Sequence, residues 1–280
     1  MVSYKDIEKA IEKRAPLDSQ ESWDNSGWQI RLKTDFSKIM LALEIRSDVI
    51  AEAEDKGCDL IISHHPLIFG SLNRIISKDA VLIDGEDIGE LGDEDLVTEN
   101  QTAELIKSGI SVYSIHTPMD KSDEGINMML GVMLGFDTFN QDPYDDQGYT
   151  WVGTYDKPID LDKFLTIAEE NLGTDRRLFR FSGDPDIKIS KVSWVSGAGH
   201  EFMTSALRND CDLFVTSDVK YHEAQKAREL GINIIDMGHY ATENRTFIRA
   251  ISNAISEEDI EEKAEVILSQ TCIEPFSVLK

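Results

Sequence analysis

The stretch GCDLIISHHP (57–66) returns, altered, as DCDLFVTSDV (210–219). Each carries Cys-Asp-Leu at the head of an apolar run rich in β-branched residues. Each follows a helical pattern that itself follows another apolar run, KIMLAL (38–43) in one case and KVSWVS (191–196) in the other. A second pair comes in the same order: LIKSGISVYSIHTPMD (105–120) and ARELGINIIDMGHYATE (227–243), each a helix end, a Gly, an apolar strand and a His at its exit. This ordered recurrence of strand, helix and strand constrains the fold more than any other feature, because parallel neighbours need a crossover and a helix supplies it. The expected class is α/β: two related units facing each other, residues 1–135 and 136–280, each a mostly parallel sheet with packed helices.

Local signals fill in the pattern. Ser3 with Asp6 three residues on is a helix start, Ile7, Ala10 and Ile11 supply its apolar stripe, and Pro16 bounds it. SDVIAEAEDKG (47–57) reads as a helix with a Ser cap and a Gly stop, and DLIIS (59–63) as the next strand. TENQTAELIKSG (98–109) is a further helix, and ISVYSI (110–115) the strand after it.

Charge narrows the function. The chain has 280 residues and a formal net charge of −25, which argues against a nucleic-acid backbone as partner, since phosphate binding needs local Lys and Arg. A small anion is still admissible where a metal or a local Arg reverses the field. Three cysteines without close pairing suit a reducing compartment. MVSYKDIEKAIEKR lacks the apolar region of a signal peptide, and no segment has the apolar length of a membrane span, so a cytoplasmic location is expected.

In open α/β sheets, ligands gather beyond the carboxyl ends of strands. His64 and His65 follow one strand, His116 and Asp120 another, and His239 and Glu243 the matching strand of the second half. Imidazole and carboxylate are the donors that borderline and hard divalent ions prefer. Adjacent strand residues point to opposite faces, so one ion is awkward for both His64 and His65. Two ions would take one each, with Asp120 or Glu243 as a bridge. The alternative is that the His pair caps a strand and the acids are surface groups. The four-residue spacing from His239 to Glu243 puts both on one helical face if the helix has already begun, whereas a Thr242 cap would put Glu243 in its first turn.

At these residues the chain resembles the GTP cyclohydrolase 1 type 2 family, the dinuclear-metal proteins grouped as interacting factor three-like. WDNSGWQI (23–30), DLIISHHPLIF (59–69), HTPMD (116–120), TSDVKYHEA (216–224) and GHYATE (238–243) resemble its motifs in order over nearly the whole chain. The resemblance implies that the two units face each other across a dinuclear metal site whose ligands are His64, His65, Asp120, His239 and Glu243. It implies two divalent ions per chain, from among Zn, Fe, Mn, Ni and Mg, a small-molecule substrate, and a ring-shaped homohexamer. The family name implies hydrolytic opening of the imidazole ring of GTP with release of formate. Two ions sharing a hydroxide would suit such a hydrolysis. A metal carrier, sensor or regulatory interaction protein is the competing reading.

Other residues carry two readings each. His116 would orient a ligand or its loop from outside the metal's own shell. His222 is either a helix-start hydrogen-bonding group or a pocket acid or base. Arg74, Lys220 and Arg245 are candidates to meet a triphosphate. Trp23, Asp24 and Asn25 are expected to form a turn packing the N-terminal helix, with substrate contact as the second reading. Gly197–Gly199 lacks the lysine of a phosphate loop, so a tight turn is expected. Cys58 and Cys211 are expected in the core. Pro118 and Ser217 stand where the family usually has Asn and Gly. The acidic segment 77–100 is expected to be an appended loop or exposed helix gating the pocket, because unpaired buried carboxylates are costly.

Overall fold

The computed structural model describes residues 1–70, 72, 75 and 93–279. The chain divides into two compact units, Met1–Pro118 with Ser252–Ile273 and Met119–Ile251 with Glu274–Lys280. The division therefore falls earlier than residue 135, and the chain returns to the first unit near its end. Both differences have a packing cause. Leu130, Met133 and Leu134 belong to a core cluster around Trp194, and the late strand Glu265–Leu268 pairs with Lys38–Ala42.

In the first unit, β1 (Val2–Ser3) leads directly into α1 (Tyr4–Glu12), started by a reciprocal Ser3–Asp6 capping box that satisfies two end amides. Ile7, Ala10 and Ile11 are its buried stripe. The sheet contains β2 (Gly27–Ile30), β4 (Lys38–Ala42), β5 (Leu60–Ser63), β6 (Ser111–Ser114) and the last strand, β13 (Glu265–Leu268), in the order β13-β4-β5-β6-β2. The short β3 (Asp35–Phe36) pairs with β1 instead. β13, β4, β5 and β6 are parallel, and β2 closes the edge antiparallel to β6. Every residue of β5 and β6 is buried, as expected where a parallel strand is covered on both faces. α2 (Ser47–Asp55) and α3 (Asp93–Ser108) are the crossovers.

The second unit repeats this plan with additions. α4 (Thr117–Lys121) and α5 (Ile126–Met133) come first, then β7 (Thr138–Gln141), β8 (Trp151–Asp160), α6 (Leu161–Leu172), β9 (Arg180–Ser182), β10 (Lys188–Trp194), α7 (Thr204–Arg208), β11 (Leu213–Thr216), α8 (Tyr221–Glu229), β12 (Ile234–Asp236) and α9 (His239–Glu257). The sheet order is β7-β8-β10-β11-β12-β9. β10, β11 and β12 are parallel, with β9 antiparallel on the far side of β12. They therefore correspond to β4, β5 and β6 with β2 beyond. Cys58 and Cys211 stand just before equivalent strands, β5 and β11. The core is built on Trp194, stacked on Phe136 with ring centroids 4.8 Å apart and donating its Nε1–H to the Asn127 carbonyl at 2.9 Å.

Arg74 and residues 77–92 of the acidic segment lie outside the described residues. The end of that segment is not an appended loop: α3 begins at Asp93 rather than near 98, and Glu99 within it is buried. The helical pattern thus extends back through DEDLV, where acidic residues favour a helix's first turns.

Candidate metal centre

β5 ends at Ser63, and the chain delivers His64 and His65 as a pair. His64 is wholly buried, and its Nδ1 lies 2.9 Å from the carbonyl oxygen of Ile115, just past β6. A carbonyl only accepts, so Nδ1 carries the proton and Nε2 is the donor this ring offers an ion. Nδ1 of His65 lies 3.4 Å from a carboxylate oxygen of Glu44. The third ring is His116. Its centroid is 5.1 Å from that of His64 and 5.4 Å from that of His65, and one donor atom from each of the three imidazoles lies within 4.8 Å of the others. The sequence placed His116 outside the ion's shell; the fold brings it into the same cluster as the His pair.

His116 is set by Asp24. Its Nδ1 is 3.0 Å from Asp24 Oδ1, while Asp24 Oδ2 accepts from the Thr117 amide at 3.1 Å, the Thr117 hydroxyl at 2.6 Å and the Ser26 hydroxyl at 2.9 Å. Burial pushes the Asp24 carboxyl up, but the hydrogen bonds from His116, Thr117 and Ser26 outweigh it and hold the group well below the usual carboxylate range. Asp24 closes the expected turn, its amide donating to the Glu21 carbonyl at 3.0 Å, and its carboxylate is an ionised anchor for an imidazole. The tryptophan that packs α1 is Trp28, whose Nε1–H donates to Glu8 at 2.9 Å.

The second unit holds Asp120, His239 and Glu243. α9 already begins at His239, so Glu243 lies one turn on, and the two side chains meet at 2.9 Å. Thr242 is inside the helix, where its hydroxyl accepts the Gly197 amide at 3.1 Å rather than capping. Donor atoms of Asp120 and Glu243 come within 4.8 Å. His239 Nδ1 lies 2.6 Å from Asp218 Oδ2. Burial pushes the His239 pKa down, but the carboxylates of Glu243 and Asp218 outweigh it and raise it. Two carboxylates facing one imidazole favour positive charge, which a bound cation would supply.

Neighbouring groups fix this set. Asp218 has a left-handed backbone, φ 54°, which turns its carboxylate toward His239. Asp236, at the end of β12, accepts the amides of Val219 at 2.9 Å and Gly238 at 3.0 Å, tying together the loops that carry Asp218 and His239. Buried Asn127 donates to the Asp120 carbonyl at 3.1 Å and accepts the Ser196 amide at 2.7 Å. Gly197 has φ 61°, and a Cβ there would fall 2.1 Å from Glu243 Oε1. The Gly-rich stretch bends sharply at 196–198, and its glycine leaves room for the Glu243 carboxylate. The sequence marked neither Asn127 nor Asp236, and no local pattern singles them out.

The two departures from the family pattern are accommodated. Pro118 is the second residue of α4, in a first turn where its missing N–H has no intrahelical use. Ser217 is not among the residues with positive φ, and its amide donates to the Gly197 carbonyl at 2.9 Å. His222 is exposed on α8 with its ring against Tyr221. Lys220 lines a cavity of about 260 Å³ in the second unit with Arg180, Tyr221 and Asp236. Arg245 donates to the Asn171 carbonyl at 3.0 Å, a cation at the C-terminal end of α6. Burial pushes the Cys58 thiol up to about 11, which leaves it a neutral core group.

The donor chemistry fits divalent ions. Imidazoles with a defined tautomer, carboxylates beside them and outer partners at the second ring nitrogen are what zinc-, iron-, manganese- and nickel-type sites use.

Comparison with known proteins gives a consistent picture. The sequence profile of Duf34/NIF3 (NGG1p interacting factor 3) matches residues 2–83 and 90–275. A protein of Clostridium perfringens called GTP cyclohydrolase 1 type 2 homolog is 30% identical over 279 residues, covering 98% of each chain. The GTP cyclohydrolase 1 type 2 of Helicobacter pylori is 30% identical over 244 residues, covering 87% of this chain and 88% of that one. Among solved structures, a Bacillus cereus protein related to NIF3 superposes with a TM-score of 0.82 at 19% identity, covering 99% of each chain. That last likeness speaks for the fold. Among the described residues, no helix is long and apolar enough to cross a membrane.

Proposed function

The chain belongs to the Duf34/NIF3 (NGG1p interacting factor 3) family, and from that premise we propose that it is a metal-dependent hydrolase acting on a small nucleotide, with GTP ring opening and formate release as the reaction. Two divalent ions per chain would be held by His64, His65, Asp120, His239 and Glu243. The observation that carries the reading is the imidazole cluster of the first unit: three rings with donor atoms within 4.8 Å, two of them with Nδ1 fixed at 2.9 and 3.0 Å by a carbonyl and a buried carboxylate. Bound divalent ions supply Lewis acidity and lower the pKa of water to near neutrality.

The chain's own residues supply the rest. Asp24 fixes Nδ1 of His116, so that Nε2 is the atom that would take or give a proton during hydrolysis. Asp218 orients His239 in the same way, and Glu44 lies 3.4 Å from His65 Nδ1. Lys220 is the cation proposed for the phosphates, within a chain whose overall field repels them. The assembly is proposed to be a homohexamer, and the location cytoplasmic.

The test is metal analysis of the purified protein, then incubation of the loaded protein with GTP and detection of formate. Bound metal with formate release supports a hydrolase. Bound metal with no turnover of GTP supports the carrier or sensor reading instead.

A further inference from the structure

Trp23 and Phe69 come from distant parts of the first unit and converge on one imidazole. The Trp23 ring lies 5.7 Å from that of His116 at an interplanar angle of 73°, and the Phe69 ring 5.9 Å away at 87°. His116 itself is only 16% exposed, yet Trp23 is 60% and Phe69 55% exposed. Near-perpendicular contacts spend an edge or one face on the imidazole and leave the remaining aromatic surface to solvent. Single exposed aromatics need no explanation. Two of them touching the same ring of a metal-type cluster do.

Their placement is held from the backbone. Asp24, next to Trp23, is pinned by His116, Thr117 and Ser26. Asn25 donates to the Ile68 carbonyl at 2.8 Å, and the Ile68 amide donates to Gln29 at 3.1 Å. The segment bearing Trp23 is therefore fastened to the residue before Phe69. Loops that are tied down while their large apolar side chains stay exposed are pre-organised for a ligand.

We propose that Trp23 and Phe69 form a ring-binding subsite beside His116 that takes the purine of a nucleotide by stacking. The subsite rests on the reading of the imidazole cluster as the reaction centre and adds to it the groups that select a planar heteroaromatic over other phosphorylated molecules. Stacking tolerates different bases because each has a π-face. Guanine and adenine nucleotides should both bind, and selection between them must lie elsewhere.

The experiment compares GTP with inorganic tripolyphosphate, which has the charge and no ring, on the metal-loaded protein. GTP should bind more tightly to the wild type than tripolyphosphate does. Trp23→Ala and Phe69→Ala should each weaken GTP about tenfold, the typical size of one stacking contact, while tripolyphosphate affinity and metal content hold. Trp23→Phe should keep most of the affinity. GTP should quench wild-type tryptophan fluorescence, and Trp23→Phe should remove most of that quenching, because Trp151 and Trp194 are buried and Trp28 packs on α1. Equal affinity for the two probes in the wild type, unchanged GTP binding in both alanine variants, or a parallel loss of tripolyphosphate would overturn the proposal. So would a fall in oligomer mass with GTP affinity retained, since the rings would then be a subunit contact. Binding is the readout, so ring-dependent binding without formate release sinks the hydrolase reading and spares the subsite, whereas turnover indifferent to both substitutions does the reverse.

Discussion

A β-carbon added to Gly197 would lie 2.1 Å from Oε1 of Glu243, and the backbone at Gly197 is left-handed with φ 61°. Backbone and the proposed ligand carboxylate are thus in direct approach. Gly197→Ala must displace Glu243 and also bear about 1–2 kcal/mol of left-handed strain. The expected outcome is reduced metal content and a melting temperature lower by several degrees. Full metal occupancy in a folded Gly197→Ala protein would show that Glu243 is not a ligand.

His65→Ala should lose metal, whereas Cys58→Ala should not. Cys58 is buried with its thiol pushed up by that burial, and it packs before β5. Elemental analysis of the two variants decides this. Unchanged stoichiometry in His65→Ala would make the histidine pair structural.

Asp24→Asn keeps the shape of the side chain but removes the anion that orients His116. Changes to such outer partners typically cost about 10–100-fold in activity or metal affinity. We expect turnover to fall by that factor with metal retained. If metal is lost in step, His116 is itself a ligand, a sixth member of the set expected from the sequence.

Acid should loosen the end of the first unit. Glu52 of α2 accepts the Ser269 hydroxyl at 2.7 Å and the amides of Gln270 at 2.9 Å and Thr271 at 3.2 Å, and it pairs with Lys56 at 2.5 Å. Burial pushes its pKa up, but the hydrogen bonds from Lys56, Ser269, Gln270 and Thr271 outweigh this and bring it from 4.5 down to about 2. A depressed folded-state pKa means stability that is present above pH 4.5 and lost as pH falls toward about 2, by roughly 2–3 kcal/mol. Denaturant titrations across that window should show a loss in wild type that Glu52→Gln, already weaker at neutral pH, does not share.

Light scattering tests the proposed hexamer. A mass near one chain of 31.5 kDa at every concentration would exclude it.

Much of this protein is written locally. The capping box at Ser3 and Asp6, the β-branched runs that became β4, β5, β6, β10 and β11, and the order in which they recur all follow from periodicity and end signals that act over a few residues. From that order the α/β class follows, because parallel strands joined by helices have few ways to pair. The place of His64, His65, Asp120, His239 and Glu243 at or just beyond strand exits was legible for the same reason. What the sequence alone left undecided depends on partners far away along the chain. His116 reads from the sequence as a supporting group, but what holds its Nδ1 is Asp24, 92 residues distant. Trp23 reads as a packing residue because the ring it meets, His116, lies far along the chain. Gly197 read only as a turn because nothing nearby reveals that Glu243 approaches it. The antiparallel edges β2 and β9, and the return of β13 to the first sheet, were likewise invisible. Periodicity reports which face of an element is apolar, but not which distant side chain will meet it. That is decided by strand register and by how the loops close, and there the buried carboxylates of Asp24 and Asp236, each satisfying several donors at once, select the arrangement.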